Sequence, residues 1–161
     1  MDGIIFDVDG TLWDSVEVVA ESWNLAIKEN SDLDPNLNRE ILQGLFGKTM
    51  DEIAAGVFPD LDTDSRRKLM DICFDYENRY LETHPGVYYE GVMDTLKELA
   101  LEYPLFIVSN CQCGYIEVMM KGAGMEPYIK DFLCFGQTQT SKDQTILKLM
   151  EKNNRRYSGR C

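Results

Sequence analysis

Three short, continuous apolar runs along the chain predict buried strands, over residues 3–6, 105–108 and 132–135. After the second and third of these runs, apolar residues recur at helical spacing, over residues 116–120 and 146–150, and a similar helical pattern covers 92–99. Strands that alternate with helices are typical of parallel βαβ units. The second half of the sequence therefore predicts an α/β core.

Residues 15–84 have a different pattern, in which only helices are predicted. A long first helix begins with Ser15 as its N-cap, a shorter helix covers the region of Leu42, and a longer one ends before His84-Pro85-Gly86. We therefore predict a Rossmann-like parallel sheet core, residues 1–14 and 85–161, with an α-helical cap, residues 15–84, inserted after the first strand. Such insertions commonly serve as lids over a site.

The string Asp7-Val8-Asp9-Gly10-Thr11 directly follows the first predicted strand. Side chains at i and i+2 share a face of a strand, so the carboxylates of Asp7 and Asp9 point at one volume. That volume lies where open α/β sheets bind ligands, beyond the carboxyl ends of their strands. Gly10 permits a sharp turn and Thr11 adds a hydroxyl. Paired aspartate oxygens suit Mg2+, which favours metal-assisted attack on an anionic group; the alternative for an Asp-x-Asp triplet alone is an ordinary polar turn.

Two further positions carry candidate chemistry at the ends of the later predicted strands. Ser109 and Asn110 follow the strand 105–108, where a hydroxyl and adjacent amides could hold phosphate oxygens. Lys142 begins the last predicted helix, where its ammonium could steady a phosphoryl group or a carboxylate. The alternatives are a strand-ending turn or helix N-cap for Ser109 and a solvated side chain for Lys142.

Composition and charge narrow the class of protein. A chain of 161 residues, 44% hydrophobic and 27% charged, is typical of a globular protein with one sizeable core. Its net charge of −12 argues against a nucleic-acid partner, and no apolar run or signal-peptide pattern indicates a membrane or secretory segment. The five scattered cysteines lack the spacing of a zinc site, so we expect reduced thiols in a cytoplasmic protein.

Taken together, Asp7 and Asp9, Ser109 and Lys142 match in order the first three motifs of the haloacid dehalogenase (HAD) superfamily. The segment Pro85-Gly86-Val87 also resembles the return from the cap into the core in the phosphoglycolate phosphatase-like branch of that superfamily. Gly47-Lys48 resembles a cap loop that reaches toward the substrate in those relatives. The resemblance covers nearly the whole chain.

The resemblance implies a Mg2+-dependent phosphomonoester hydrolase that acts on a small phosphorylated metabolite. Asp7 would attack phosphorus and become an aspartyl-phosphate, and Asp9 would protonate the leaving oxygen and then activate water. Ser109, Asn110 and Lys142 would hold the phosphate. Mg2+ would lie between the Asp7 carboxylate, the Asp9 main-chain carbonyl and the phosphate. Thr11 and Lys48 complete the predicted substrate-binding residues.

The fourth motif of the superfamily, a Gly-Asp-x-x-x-Asp string after one more strand, is missing from this sequence. Residues 155–161 are basic and lack the pattern of a strand, so the chain looks like a C-terminally truncated phosphatase. We expect weaker Mg2+ binding and lower turnover as a result. We also expect an open apolar edge beside the first strand, which makes self-association plausible.

A frameshift is one hypothesis for this tail. Tyr157 to Cys161 can be encoded TAT AGT GGG AGA TGC, which reads Ile-Val-Gly-Asp one base later. The coding DNA tests this idea directly.

Two other functions stay open from the sequence. A sugar-phosphate mutase of the same superfamily would keep the phospho-enzyme long enough for transfer. A catalytically impaired phosphate-binding or regulatory protein would be consistent with the missing fourth motif. Tight Mg2+ binding would argue against the second of these.

Overall fold

The structure, a computed structural model, describes residues 2–153. In chain order its elements are β1 (Ile4–Phe6), β2 (Trp13–Asp14), α1 (Val16–Asn30), α2 (Arg39–Gln43), α3 (Met50–Val57), α4 (Thr63–Leu81), β3 (Val87–Tyr88), α5 (Val92–Ala100), β4 (Leu105–Ser109), α6 (Tyr115–Ala123), β5 (Ile129–Cys134), α7 (Phe135–Thr138) and α8 (Lys142–Lys152). The predicted fourth-motif position and the tail from residue 155 lie outside the described residues.

The core contains a parallel sheet in the order β1-β4-β5. The strands are aligned so that Phe6 faces Ile107 across one pair and Ser109 faces Cys134 across the other. All five residues of β4 are buried, as expected for a central strand with helices on both faces. The predicted α/β fold with a parallel sheet is therefore confirmed. The third strand begins earlier than predicted, at Ile129, and Phe135 already belongs to α7.

The helices α1 to α4 form the insertion between β2 and β3, and they bury a hydrophobic cluster of their own around Trp23, Ile27 and Phe74. Helix α3 was not predicted from the sequence. Its N-terminus has a capping box, in which the side chains of Thr49 and Glu52 each accept a hydrogen bond from the other residue's main-chain amide. The Thr-x-x-Glu spacing is a signal from which this helix start could have been predicted.

A two-stranded antiparallel ribbon lies where the chain leaves and re-enters the core. Trp13 of β2 pairs with Tyr88 of β3, and their rings are 5.4 Å apart. Gly86 permits this close approach, because a Cβ there would lie 2.9 Å from the Asp14 carbonyl oxygen. Each strand has only two residues, which is too short for a detectable pattern in the sequence.

The sheet leaves one side of β1 without a neighbouring strand within residues 2–153. No helix in that part of the chain is long and apolar enough to span a membrane.

Candidate active site

The carboxyl ends of β1 and β4 bring the predicted site residues to one edge of the sheet. Lys142 Nζ lies 2.6 Å from Oδ2 of Asp7. The other Asp7 oxygen, Oδ1, accepts a 2.8 Å hydrogen bond from the main-chain amide of Val8. Lys142 is the first residue of α8, so the loop between α7 and α8 brings its ammonium to the end of β1. The two residues are 135 positions apart in the sequence (142 − 7), and the parallel sheet brings them together.

The second aspartate is held by two hydroxyl groups. Tyr115 Oη donates a 2.6 Å hydrogen bond to Oδ1 of Asp9, and Ser15 Oγ donates a 3.3 Å bond to the same oxygen. The two hydroxyls are 2.7 Å from each other. Burial raises the pKa of Asp9 to about 6, the Tyr115 hydrogen bond opposes that rise, and the charge of Asp7 adds to it. Asp9 is thereby poised to exchange a proton near neutral pH.

Ser109 and Asn110 line the same cavity as Asp7 and Asp9. Ser109 is the last residue of β4 and is buried. Asn110 donates a 2.9 Å hydrogen bond from Nδ2 to the main-chain carbonyl of Gly47, so it connects the core to the insertion. The hydroxyl and the adjacent amides could serve anion binding, as predicted, and their role in substrate binding stays a prediction.

The cavity has a volume of about 380 Å³ and lies between the sheet edge and the helical insertion. Its floor is polar and contains the aspartates and Lys142. Its roof comes from the insertion and is largely apolar, with Val19, Trp23, Phe46, Met50, Ile53 and Phe74. This arrangement suits a small molecule that has an anionic end and a less polar body.

Two predicted substrate-binding residues do not line the cavity. The side chain of Thr11 is exposed and its main-chain amide donates to the Val8 carbonyl. Lys48 is also exposed, although its neighbour Gly47 does reach the lining. The contribution of Thr11 and Lys48 to binding stays a prediction.

Sequence reasoning missed three residues at the site. Ser15, predicted as an N-cap, makes no side-chain capping bond and bonds Asp9 instead. The sequence pattern marks Tyr115 only as the start of a helix. Glu77 of α4 lines the cavity although only 3% of its surface is exposed.

Glu77 is a buried acidic residue in the cavity lining. Trp23 Nε1 donates a 2.5 Å hydrogen bond to Oε2 of Glu77. Burial raises the pKa of Glu77 to about 8, against the opposing effect of hydrogen bonds from Gln112 and Trp23. The sequence contains one signal for Glu77, because it is a charged residue on a helix face whose other positions are apolar.

The oxygen donors at the floor fit a hard cation such as Mg2+, which binds through one or two carboxylates and keeps waters or substrate phosphate as further ligands. The Asp7 carboxylate faces the cavity and is 41% exposed. Oδ1 of Asp9 accepts the hydrogen bonds from Tyr115 and Ser15, and the resemblance implies the Asp9 main-chain carbonyl as the second protein ligand. In the part of the chain that the structure describes, no cluster of three or more His, Cys, Asp or Glu residues could hold a metal. The Asp7 carboxylate and the Asp9 carbonyl would hold such a cation, with water and substrate phosphate as further ligands.

Comparisons with solved structures show the same fold. The chain superimposes on a predicted phosphoglycolate phosphatase from Haemophilus somnus with a TM-score of 0.81 and 22% identity, over 96% of this chain and 72% of the other. A haloacid dehalogenase-like family hydrolase from Streptococcus pneumoniae gives a TM-score of 0.73 and 19% identity, over 96% and 71% of the two chains. A HAD-superfamily hydrolase of subfamily IA from Geobacter sulfurreducens gives 0.65 and 18% identity, over 96% and 73%.

A search of curated proteins gives no match. The sequence model described as "Haloacid dehalogenase-like hydrolase" matches residues 4–158. This range contains the Asp7, Asp9, Ser109 and Lys142 positions on which the resemblance rested. The chain is a member of the haloacid dehalogenase-like hydrolase family.

Proposed function

We propose that this protein is a phosphomonoester hydrolase that works through an aspartyl-phosphate on Asp7. The contact between Lys142 and Asp7, 2.6 Å long, carries the proposal, because it places a cation on a candidate nucleophile inside a cavity. Asp9 lies two residues away with its pKa raised to about 6. A nucleophile, a cation and a proton donor are the parts that acyl-phosphate chemistry needs.

In the first step an Asp7 carboxylate oxygen attacks the phosphorus atom of the substrate. A bond forms between that oxygen and phosphorus, and the bond from phosphorus to the ester oxygen breaks. The ester oxygen leaves as an alcohol because it takes the proton that Asp9 carries. The Lys142 ammonium stabilises negative charge on the phosphoryl oxygens.

In the second step Asp9, now a carboxylate, takes a proton from water as that water attacks the aspartyl-phosphate. The bond between the Asp7 oxygen and phosphorus breaks. Inorganic phosphate leaves, and both aspartates return to their starting states. The hydrogen bonds from Tyr115 and Ser15 hold Asp9 in one orientation for both proton transfers.

The phosphate oxygens would be held by the Ser109 hydroxyl, the Asn110 amide and Lys142. Mg2+ would be held by the Asp7 carboxylate and the Asp9 carbonyl, where it would offset the charge between Asp7 and the phosphate.

The lining and the volume of the cavity favour a substrate with a small leaving group. Its roof is largely apolar, with Phe46, Met50 and Phe74 facing the polar floor. A volume of about 380 Å³ suits a small metabolite. The net charge of −12 likewise disfavours nucleic-acid substrates.

Phosphate release from p-nitrophenyl phosphate, with and without Mg2+, tests the proposal. The comparison uses the wild-type protein, Asp7→Asn and the control Asp2→Asn, which changes an exposed aspartate outside the cavity. We expect Mg2+-dependent release that Asp7→Asn abolishes and Asp2→Asn preserves.

Release that survives in Asp7→Asn would contradict the role of Asp7. No release from folded wild-type protein would contradict phosphatase activity and favour a phosphate-binding role. A phospho-enzyme that passes its phosphoryl group to a sugar phosphate faster than to water would favour the mutase.

A further inference from the structure

Three thiols meet beside the candidate active site. Cys111 and Cys113 lie in the loop after β4, and Cys134 is the last residue of the neighbouring strand β5. The register that pairs Ser109 with Cys134 brings the loop and the strand end together. The Cys111 and Cys113 side chains lie near enough to Cys134 to lower the pKa of its thiol. All three cysteines are free, with Cys113 exposed and the other two buried.

A glycine makes this close approach possible. The Gly136 amide donates a 3.0 Å hydrogen bond to the Cys111 carbonyl. A Cβ at position 136 would lie 2.5 Å from the main-chain nitrogen of Cys113 and 3.0 Å from its sulfur, so any larger residue would displace the loop. The loop that carries Cys111 and Cys113 is therefore packed directly on the end of β5.

The three thiols differ in acidity, because the pKa of Cys134 is lowered and those of Cys111 and Cys113 are raised. The hydrogen bond from Cys111 lowers the pKa of Cys134 to about 7, and bonds from the Gln137 amide and Cys113 act in the same direction. Burial raises the pKa of both Cys111 and Cys113. Cys134 is thus the most acidic thiol of the three, and the thiolate is the form that attacks a disulfide.

We propose that Cys113 and Cys134 form a thiol–disulfide exchange site that reacts with low-molecular-weight disulfides such as oxidised glutathione. Exposed Cys113 is the entry residue, and buried Cys134 is the resolving residue. An intramolecular attack needs no solvent access to Cys134, since the loop that carries Cys113 packs directly on Gly136 at the end of β5.

Two exchange steps oxidise the protein thiols and reduce the glutathione disulfide. Cys113, after losing its proton, attacks one sulfur of oxidised glutathione, and the disulfide bond of glutathione breaks to release one glutathione thiolate. The Cys134 thiolate then attacks the Cys113 sulfur of the mixed disulfide and releases the second glutathione. Two protein thiols are oxidised to one disulfide, and one glutathione disulfide is reduced to two thiols.

The disulfide would fix a loop that contacts both the active site and the insertion. The Cys113 carbonyl accepts a 2.8 Å hydrogen bond from Asn78 Nδ2 of α4. Gln112 donates a 3.2 Å bond to Oδ1 of the same asparagine. Ser109 and Asn110 begin this loop. The exchange chemistry itself does not depend on phosphatase activity.

Peptide mapping after reaction with oxidised glutathione tests the proposal. Reduced full-length protein is incubated with the reagent, remaining thiols are blocked with N-ethylmaleimide, and the digest is analysed by mass spectrometry. We expect a linked Cys113–Cys134 peptide, with a mass about 2 Da below the sum of the two reduced peptides. The link should disappear with dithiothreitol.

Single variants separate the two roles. Cys134→Ser should stop at the mixed disulfide and accumulate glutathione on Cys113, about tenfold above wild type. Cys113→Ser should leave Cys134 unmodified. Cys73→Ser, which removes a buried thiol on α4, and Cys161→Ser should both give the wild-type link.

Other results would overturn the proposal. These are a wild-type protein that stays glutathionylated on Cys113 without resolving, or a link that joins Cys111 to Cys113 or to Cys134. Circular dichroism of each variant shows that it is folded, and Cys134→Ala replaces Cys134→Ser if the serine variant does not fold. None of these readouts requires turnover, so a failed phosphatase assay leaves this test intact.

Discussion

The Tyr115 hydroxyl donates a 2.6 Å hydrogen bond to the Asp9 carboxylate, between residues 106 positions apart. Tyr115 is the first residue of α6, and its buried ring packs edge-on to Trp13 at 5.6 Å. The core packing of α6 therefore fixes the position of a hydroxyl on the candidate acid–base residue. Tyr115 is a positioning residue, since it acts through Asp9.

Tyr115→Phe should lower kcat about tenfold and leave KM nearly unchanged, because it removes one hydrogen bond to a charged group and keeps the packed ring. Steady-state kinetics with p-nitrophenyl phosphate measures both constants. Tyr103→Phe is the matched control, as it removes a hydroxyl from a tyrosine that packs on the same core outside the cavity lining. Equal loss of kcat in both variants would contradict the positioning role.

Lys142→Ala should lower kcat/KM about 100-fold, because it removes the cation beside Asp7. The free energy of unfolding should change by less than about 1 kcal/mol, since both partners of this ion pair are partly exposed. Lys152→Ala is the control, because it breaks the 2.9 Å ion pair with Asp131 at the other end of α8. If the two variants lose the same activity, Lys142 has no special role at the site.

The site residues that the sequence predicts best are those whose position is set by the end of a strand. Asp7 follows β1, Ser109 ends β4, and Lys142 comes after β5 and the short helix α7. Because parallel strands end on one edge of a sheet, their meeting follows from the order of strands and helices along the chain. The parallel α/β class follows from the same alternation. The two short ribbon strands, by contrast, exist because Trp13 and Tyr88 pack together, which no local pattern records.

Glu77 and Tyr115 could not be assigned from sequence, because their roles depend on packing between distant elements. Glu77 lies on α4 and meets Trp23 of α1 across the helical insertion. The buried face of a helix is normally apolar. A single glutamate on that face is too weak a deviation to predict a role at the site. Thr49 and Glu52 are different, since the capping box of α3 is readable from four consecutive residues.

Self-association through the side of β1 that has no neighbouring strand within residues 2–153 is a further expectation. Within residues 2–153, β1 pairs with β4 alone, and its three residues are apolar. An uncovered strand edge can pair with another chain. Sedimentation equilibrium should show a mass that rises with protein concentration, in wild type and in Leu101→Lys, which removes an exposed hydrophobic residue elsewhere. A monomer at every concentration would contradict the expectation, and association lost in Leu101→Lys would assign it to another surface.

Glu77 should make the protein less stable as pH rises. Burial raises its pKa in the folded protein to about 8 from an ordinary value of 4.5, so between these values the folded chain keeps a proton that the unfolded chain releases. The stabilising effect of that proton is complete below pH 4.5 and is lost as pH rises through about 8.

Glu77→Gln should remove this contribution, because the amide is neutral at every pH and keeps an oxygen for the Trp23 hydrogen bond. One proton changes the free energy of unfolding by about 1.4 kcal/mol per pH unit within the window. Urea unfolding at several pH values between 5 and 8 measures that slope in wild type, in Glu77→Gln and in the control Glu82→Gln, whose side chain is exposed. The wild-type curve should fall more steeply with pH than the Glu77→Gln curve, and the Glu82→Gln curve should follow wild type. Parallel curves for wild type and Glu77→Gln would show that Glu77 ionises in the folded state as it does in the unfolded chain, against the burial described above.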